Sequence, residues 1–348
     1  MNTYRVAIIG CGRRGDRRGG AYGIAEAHAL AYEASERAQI VAAADINQEL
    51  LDVFVTDHHV PSAYRDYHAM LEKERPDIIS VCTWPQLHPE MVIAAAEAGA
   101  KGIICEKPMA LTLPDCDRML AACERNGATL IVDHQRRLGQ PFRLAKEILD
   151  RGDIGELSRL EAYVGGSNLY DWGPHWVDML FFFQGEVDAE WVAAQVDTRG
   201  DKVQWGMRVE EHSIVHVQYR NGVRGYLEIG IPIQGARPIR VIGSEGLIEL
   251  NGPADGRPVI RARVKDRADW LVPETDETIH DRRNYTRAAM DLITALDTGH
   301  PPELRGERAR KTIEVIVAAY ESAYRRGRVD LPLADVLDCP LERLTQRQ

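Results

Sequence analysis

The chain has 348 residues, 45% hydrophobic and 28% charged, a balance that excludes the disordered and membrane-spanning classes and, at this length, makes two domains the default. Its 43 basic and 53 acidic residues leave a net charge of −10, which argues against wholesale nucleic-acid binding because the average field repels a polyanion. Six cysteines (Cys11, Cys82, Cys105, Cys116, Cys123, Cys339) form no CxxC pair, as packed, reduced thiols do. The first residues, MNTYRVAII, run straight into a strand rather than a signal peptide, and no apolar stretch approaches the roughly 20 residues of a membrane span. The expected location is therefore cytoplasmic, with no membrane partner.

Residues 5–9 (RVAII) read as a buried strand. A helical run over 24–36, QIVAAAD (39–45), a helix over 48–56, DIISVCT (77–83), a helix over 88–98 and GIICEKP (102–108) follow. Short, continuously apolar strands separated by helices predict a parallel sheet covered on both faces, a doubly wound domain. A helix over 113–126 stops at Gly127, and TLIVD (129–133) adds a strand. Beyond it the texture changes. A helix over 141–151 precedes longer strands with period-two alternation. In HSIVHVQYRNGVRGYLEIG (212–230), Asn221-Gly222 sits between two such runs and predicts a tight hairpin. A second hairpin is expected in IRVIGSEGLIEL (239–250), turning at 244–246. Two amphipathic helices close the chain: Tyr285, Ala289, Leu292 and Leu296 share one face, and Ile313, Ile316, Val317 and Tyr320 another. The predicted architecture is α/β: residues 1–125 form a dinucleotide-binding domain with a doubly wound parallel sheet, and 126–348 an α+β domain with a large, mainly antiparallel sheet for substrate binding and oligomerisation.

GCGRRGDRRGGAYG (10–23) concentrates glycine and arginine in an acidic chain. Gly10, Gly12 and Gly15 form G-x-G-x-x-G directly after a strand, the context of the Rossmann dinucleotide fingerprint. Free backbone N–H groups at such a helix start hold a pyrophosphate. Asp45 ends the next strand, where a carboxylate accepts from the adenosine ribose hydroxyls. It lies 30 residues after Gly15 rather than about 20, which points to an inserted loop over 16–23. Arg13 or Arg14 then lies near the pyrophosphate, and Arg17 and Arg18 read as solvated loop charges. The Asp45 carboxylate repels a 2′-phosphate, and Ile46-Asn47 brings no arginine to neutralise one, so NAD is expected over NADP.

Glu106-Lys107-Pro108 follows an apolar strand, which brings Lys107 to the carboxyl ends of the parallel strands, where such sheets bind ligands. There Lys107 either bonds a substrate hydroxyl or pairs with Glu106 or another acid. Asp171 and His175, four apart in GGSNLYDWGPHWVD (165–178), fall on one face of a helical turn, where a carboxylate orients an imidazole and raises its basicity. CEKPM (105–109) and this stretch, with GCGRRG and CTWPQLHPEM (82–91), resemble the Gfo/Idh/MocA family of oxidoreductases, in order over nearly the whole chain.

The resemblance implies an NAD-dependent dehydrogenase that moves a hydride between a secondary alcohol of a sugar, polyol or cyclitol and the nicotinamide. Lys107 and His175 share the hydroxyl proton, with His175 as general base tuned by Asp171. The expected cofactor contacts are Gly10, Cys11, Gly12, Arg13, Arg14, Gly15, Asp45, Thr83, Trp84, Pro85, His88 and Glu106. Substrate contacts are Lys107, Arg137, Trp172 and His175, with Trp84 and Trp172 able to stack on a sugar ring or serve as core. GGSN replaces the family's commoner three-glycine run and follows the strand LEAYV almost at once, where relatives often place a longer loop, so the substrate pocket is expected to be either more open or completed by another subunit. His58-His59, His68, His134, Cys116 and Cys123 have no ligand spacing, so no metal is expected. An NAD-dependent glycosidase working by transient oxidation and elimination is the alternative enzyme. A non-catalytic nucleotide-responsive protein would have no use for the Lys107, Asp171 and His175 set. A sheet with one face on helices and the other partly apolar predicts a homodimer or homotetramer.

Overall fold

The structure, a computed structural model, describes residues 3–12, 23–231, 239–252 and 256–346. Arg13, Arg14, Gly15 and the expected loop up to residue 22 lie outside the described residues. The chain divides into two compact units, residues 1–110, 114–135 and 282–310 in the first and 111–113, 136–281 and 311–348 in the second.

In the first unit β1 (Tyr4–Ile9), α1 (Ile24–Glu33), β2 (Ala38–Ala44), α2 (Gln48–Asp57), β3 (Ser62–Tyr64), α3 (Tyr67–Glu74), β4 (Ile78–Val81), α4 (His88–Glu97), β5 (Gly102–Cys105), α5 (Leu113–Asn126) and β6 (Thr129–Val132) alternate. The six strands form one parallel sheet in the order β3-β2-β1-β4-β5-β6, the doubly wound arrangement expected. Val6 to Ile9, Ile78, Ile79, Val81 and Ile103 to Cys105 are buried, as uninterrupted apolar strands must be when both faces are covered. Local signals set the helix starts: Asn47 caps α2 by accepting the Leu50 N–H, and Asp66 caps α3 by accepting that of His68. Residue 125, where the sequence places its boundary, lies in the last turn of α5, and residues 282–310 return to the first unit. Those residues carry α8 (Arg283–Thr298), whose Leu292 and Ile293 are buried and which packs on α1, β5 and β6.

The second unit contains α6 (Gln140–Asp150), β7 (Leu157–Gly165), α7 (Gly173–Gln184), β8 (Ala189–Asp197) and a two-stranded ribbon of β9 (Val203–Gln204) and β10 (Met207–Arg208). It continues with β11 (His212–Tyr219), β12 (Arg224–Ile231), β13 (Ile239–Gly243), β14 (Leu247–Leu250) and β15 (Ile260–Arg263). Most of α9 (Gly306–Arg325), β16 (Val329–Asp330) and α10 (Pro340–Gln346) complete it. Eight strands order as β15-β14-β13-β7-β12-β11-β8-β16, all neighbours antiparallel except β7 and β12. The Asn221-Gly222 hairpin forms as expected, with Gly222 at φ +86°, the left-handed region such turns require. Ser213, Val215, Val217 and Tyr219 of β11 and Leu160, Ala162 and Val164 of β7 point inward, and the almost wholly buried α7 packs on β7 and β12. On the opposite face His216 stacks on Tyr226 with ring centroids 4.6 Å apart and meets Trp191 edge-on at 4.9 Å.

Arg137, expected at the substrate end, is core. Its side chain is 1% exposed; Nε donates to Asp178 Oδ2 at 2.7 Å, Nη2 to Asp178 Oδ1 at 2.8 Å and Nη1 to Glu186 at 2.5 Å. A fork-to-fork pair sealed from water commits the guanidinium to α7 and fixes that helix to residues 135–138. Breaking such a pair leaves a buried charge uncompensated, so Arg137→Ala is expected to cost ~3–5 kcal/mol in urea denaturation. An unchanged midpoint would mark Arg137 as a surface contact instead.

Candidate active site

The glycine turn is built by main-chain bonds. Gly10 N–H donates to Ala44 O at 2.8 Å and Cys82 N–H to Ile9 O at 2.8 Å, so the ends of β1, β2 and β4 are held together. At φ +89° Gly10 occupies a backbone region that side chains avoid, and a Cβ there would lie 2.7 Å from Thr83 Cγ2 and 2.9 Å from Cys82 O. Gly12 is also left-handed, at φ +72°. Cys11 N–H donates to Asp45 Oδ2 and Asn47 N–H to Asp45 Oδ1, both at 2.7 Å, so the carboxylate at the end of β2 is fixed by charge-assisted bonds with lone pairs to spare. A turn bare of side chains at Gly10 and Gly12, beside a preset carboxylate, fits a dinucleotide: the 10–12 main chain would face the pyrophosphate and Asp45 the ribose hydroxyls.

At the ends of β4 and β5 the predicted residues divide by role. Trp84 is 55% exposed, and Pro85 opens a 3₁₀ turn over Pro85–Leu87. Thr83 Oγ1 donates to Met91 Sδ at 3.2 Å. His88, expected along the cofactor, is fully buried, with Nδ1 2.9 Å from Pro108 O and Nε2 3.0 Å from Thr83 O. Burial lowers its pKa and the two carbonyls oppose that shift, so the ring sits between the segment after β4 and the Glu106-Lys107-Pro108 turn with each nitrogen facing a carbonyl oxygen. Glu106 is buried too. Oε1 lies 3.0 Å from His28 Nε2 and Oε2 accepts the Lys107 N–H at 3.1 Å. Burial pushes its pKa up, but the His28 bond and charge and the Lys107 ammonium outweigh it, and the net shift is downward, to a carboxylate. Lys107 itself is half-buried at the carboxyl end of β5.

In the second unit residues 167–172 form the turn that leads into α7. Asn168 Oδ1 accepts the Asp171 N–H at 2.9 Å, Asn168 Nδ2 donates to Gln204 at 2.6 Å, and the buried Glu210 accepts the Leu169 N–H at 2.6 Å. These bonds pin the GGSN segment. Asp171 stands ahead of α7 rather than on it and accepts the Ser167 hydroxyl at 3.2 Å; His175 is in the first turn and 6% exposed. Trp172 meets His175 edge-on at 6.1 Å and His280 at 5.3 Å. Arg136 lies over both Trp172 and Trp176, 5.2 and 4.8 Å from the rings, and donates through Nη2 to His280 Nδ1 at 3.2 Å. Desolvation by its neighbours, then the Arg136 cation, push the His280 pKa down to about 4, so this partly solvated ring is a neutral acceptor at pH 7. Of the adjacent arginines, Arg136 rather than Arg137 thus joins the turn that carries His175. Arg136, His280, Glu210 and His28 escaped sequence reasoning, and only the spacing of His28 and Tyr32 on one helix face hinted at any of them.

Comparison with known proteins agrees with this geometry. Residues 4–134 match the model of an oxidoreductase family with an NAD-binding Rossmann fold, and 158–249 match the GFO/IDH/MocA C-terminal domain. The chain belongs to the Gfo/Idh/MocA family. It is an NAD-dependent dehydrogenase acting on CH–OH groups. It is 26% identical to the myo-inositol 2-dehydrogenase of Thermotoga maritima, covering 94% of this chain and 98% of that protein, and 27% identical to the D-apiose dehydrogenase of Paraburkholderia graminis, covering 94% and 89%. A levoglucosan dehydrogenase solved with NADH shares the fold at TM-score 0.81 and 21% identity, over 96% of this chain and all of that one. An oxidoreductase of Agrobacterium radiobacter, solved with NAD+, L-tartaric acid and magnesium, does so at 0.79 and 21%, over 94% and 98%.

Among the described residues no helix is long and apolar enough to cross a membrane, and all six cysteines are free and buried. One trio, His28, Glu106 and Asp133, brings metal-ligand atoms within 4.8 Å of one another, a grouping the sequence did not suggest. For the family's nucleotide turn, the sterics at Gly10 yield a test. Gly10→Ala adds left-handed strain and a clash with backbone, so NADH affinity by fluorescence titration is expected to fall at least about 10-fold with the fold retained by circular dichroism. Unaltered affinity would show that the turn is not the nucleotide site.

Proposed function

We propose that the enzyme oxidises a secondary alcohol of a sugar, polyol or cyclitol. The observation that carries this reading is the placement of Lys107 at the carboxyl end of β5, its main chain fixed by Glu106, in the same unit as the Gly10 turn and Asp45. The relatives named for myo-inositol and D-apiose support a polyhydroxylated substrate. Bound NAD supplies the hydride acceptor. Lys107 donates to the substrate hydroxyl oxygen, His175 removes its proton as general base, and Asp171 orients the imidazole. Trp172 offers a ring face to C–H groups beside His175, and Arg136 offers donors to hydroxyls.

A screen of inositols, including myo-inositol, with sugars and glycosides tests this, following NADH formation and aglycone release in parallel. Net NADH is expected from a polyol; aglycone release without NADH would establish the redox-neutral glycosidase. Base catalysis contributes about 10²- to 10⁴-fold, so His175→Ala is expected to lose turnover on that scale while keeping NADH affinity. Lys107→Met is expected to lose turnover likewise; near wild-type rates would remove Lys107 from the catalytic set.

We further propose that a second copy of the chain covers the sheet face carrying Trp191, His216 and Tyr226, a contiguous ring surface opposite the face on which α7 packs. Mass photometry is expected to show a dimer or tetramer, and Tyr226→Glu to shift it towards monomer. A monomer-sized species alone in the wild type would overturn this.

A further inference from the structure

Helix α1 carries two polar side chains, His28 and Tyr32, on its buried face, 3% and 1% exposed. One turn apart, they point the same way, at Ser80 in the middle of β4. The Tyr32 hydroxyl is 2.8 Å from Ser80 Oγ, and Ser80 Oγ is 3.1 Å from His28 Nδ1. On the far side of the ring, Nε2 lies 3.0 Å from Glu106 Oε1 and 3.7 Å from Asp133 Oδ2. A cavity of about 10 Å³ beside the ring, lined by His28, Tyr32, Asp133 and Tyr285 among others, is at the lower limit for one water.

Hydrogen-bond bookkeeping gives this cluster a direction. An ionised Glu106 only accepts, so Nε2 of His28 carries a hydrogen towards it. Ser80 Oγ meets the other ring nitrogen and the Tyr32 hydroxyl meets Ser80, so a single run of hydrogen bonds ends on the carboxylate. The other oxygen of that carboxylate accepts the Lys107 N–H. One imidazole therefore sets both the rotamer and the ionisation of the group that fixes the Lys107 main chain. Without its donor, a carboxylate this buried must turn away or take up a proton. Turning away takes the acceptor from Lys107 N–H, and protonation cancels the negative charge beside the ammonium.

We propose that His28, backed by Ser80 and Tyr32, is a positioning residue for the dehydrogenase reaction, acting on Lys107 through Glu106. The proposal rests on reading Lys107 as a substrate contact, so Lys107→Met is measured first with myo-inositol and NAD. Wild-type turnover in that variant removes the reading of Lys107 and, with it, a role for His28. The decisive pair is His28→Gln and His28→Asn, two amides of similar polarity. Glutamine reaches the Nε2 position and donates to Glu106, whereas asparagine reaches only Nδ1 and serves Ser80. His28→Asn is expected to lower kcat about 10- to 100-fold, the scale of losing one donor to a buried charged acceptor, with both KM values within about twofold. His28→Gln is expected to recover about 10-fold of that loss. Equal kcat in the two variants, or a loss confined to KM, would overturn the proposal. Crystal structures of both need no substrate: Glu106 is expected to keep the Lys107 N–H in the Gln variant and, in the Asn variant, either to release it or to take up a proton and shift the kcat–pH profile; an unmoved carboxyl with a wild-type pH profile in the latter also overturns it.

Discussion

A buried carboxylate, Glu106, stands at the carboxyl end of β5, and the first unit is arranged to keep it charged. Desolvation alone would protonate Glu106, so the fold surrounds it with one ring N–H, one main-chain N–H and one ammonium. Meeting that demand joins three elements remote in sequence: α1 supplies the ring, β4 the hydroxyl that orients it, and the turn after β5 the N–H. The nucleotide turn is tied into the same region, because Gly10 is pressed against Cys82 and Thr83 at the end of β4. His88 closes the ring of contacts by bridging Thr83 and Pro108. The glycine turn and Lys107, to which we assign the cofactor and the substrate hydroxyl, are thus held in one unit, as preorganised chemistry requires.

The second unit solves a similar problem with the opposite sign. A guanidinium cannot shed its charge, so Arg137 is buried only with Asp178 and Glu186 around it. Its neighbour in sequence faces aromatic rings instead, and the two arginines divide structure from site. Sequence offers no means to tell them apart: both stand in a short 3₁₀ turn, where no periodicity assigns an inward face. Their partners lie 41 and 144 residues away.

What was legible follows from the range of the interactions. Strands of the first sheet read clearly because burial on both faces leaves uninterrupted apolar runs, and the Asn221-Gly222 hairpin because two residues dictate their own turn. The glycine turn and Asp45 were legible from the strand endings that flank them. The amphipathic face of α8 was visible, but a hydrophobic stripe says only that something covers it; that α1, β5 and β6 do so depends on a return across more than 140 residues of chain. The parallel β7–β12 pair was hidden for a related reason, since hairpin signals describe only consecutive strands. His28 is the most instructive omission. A lone histidine among alanines reads as ordinary core until the partner 78 residues away is placed beside it.

If Asp45 takes the adenosine ribose, as we propose, the same reasoning refines how it would select NAD. A flexible carboxylate can swing aside for a 2′-phosphate, losing little more than solvated charge repulsion. Asp45 is not free to do so. Both oxygens are already bonded, one to the glycine turn proposed for the pyrophosphate and the other to the residue that caps α2. Rotating it away would strip an acceptor from Cys11 N–H in the turn itself and from Asn47 N–H at the start of a helix, so exclusion of the phosphate is coupled to the integrity of the phosphate-binding main chain. On this reading, discrimination would belong to a carboxylate and the two N–H groups that hold it, and replacing Asp45 alone would disturb nucleotide affinity together with preference.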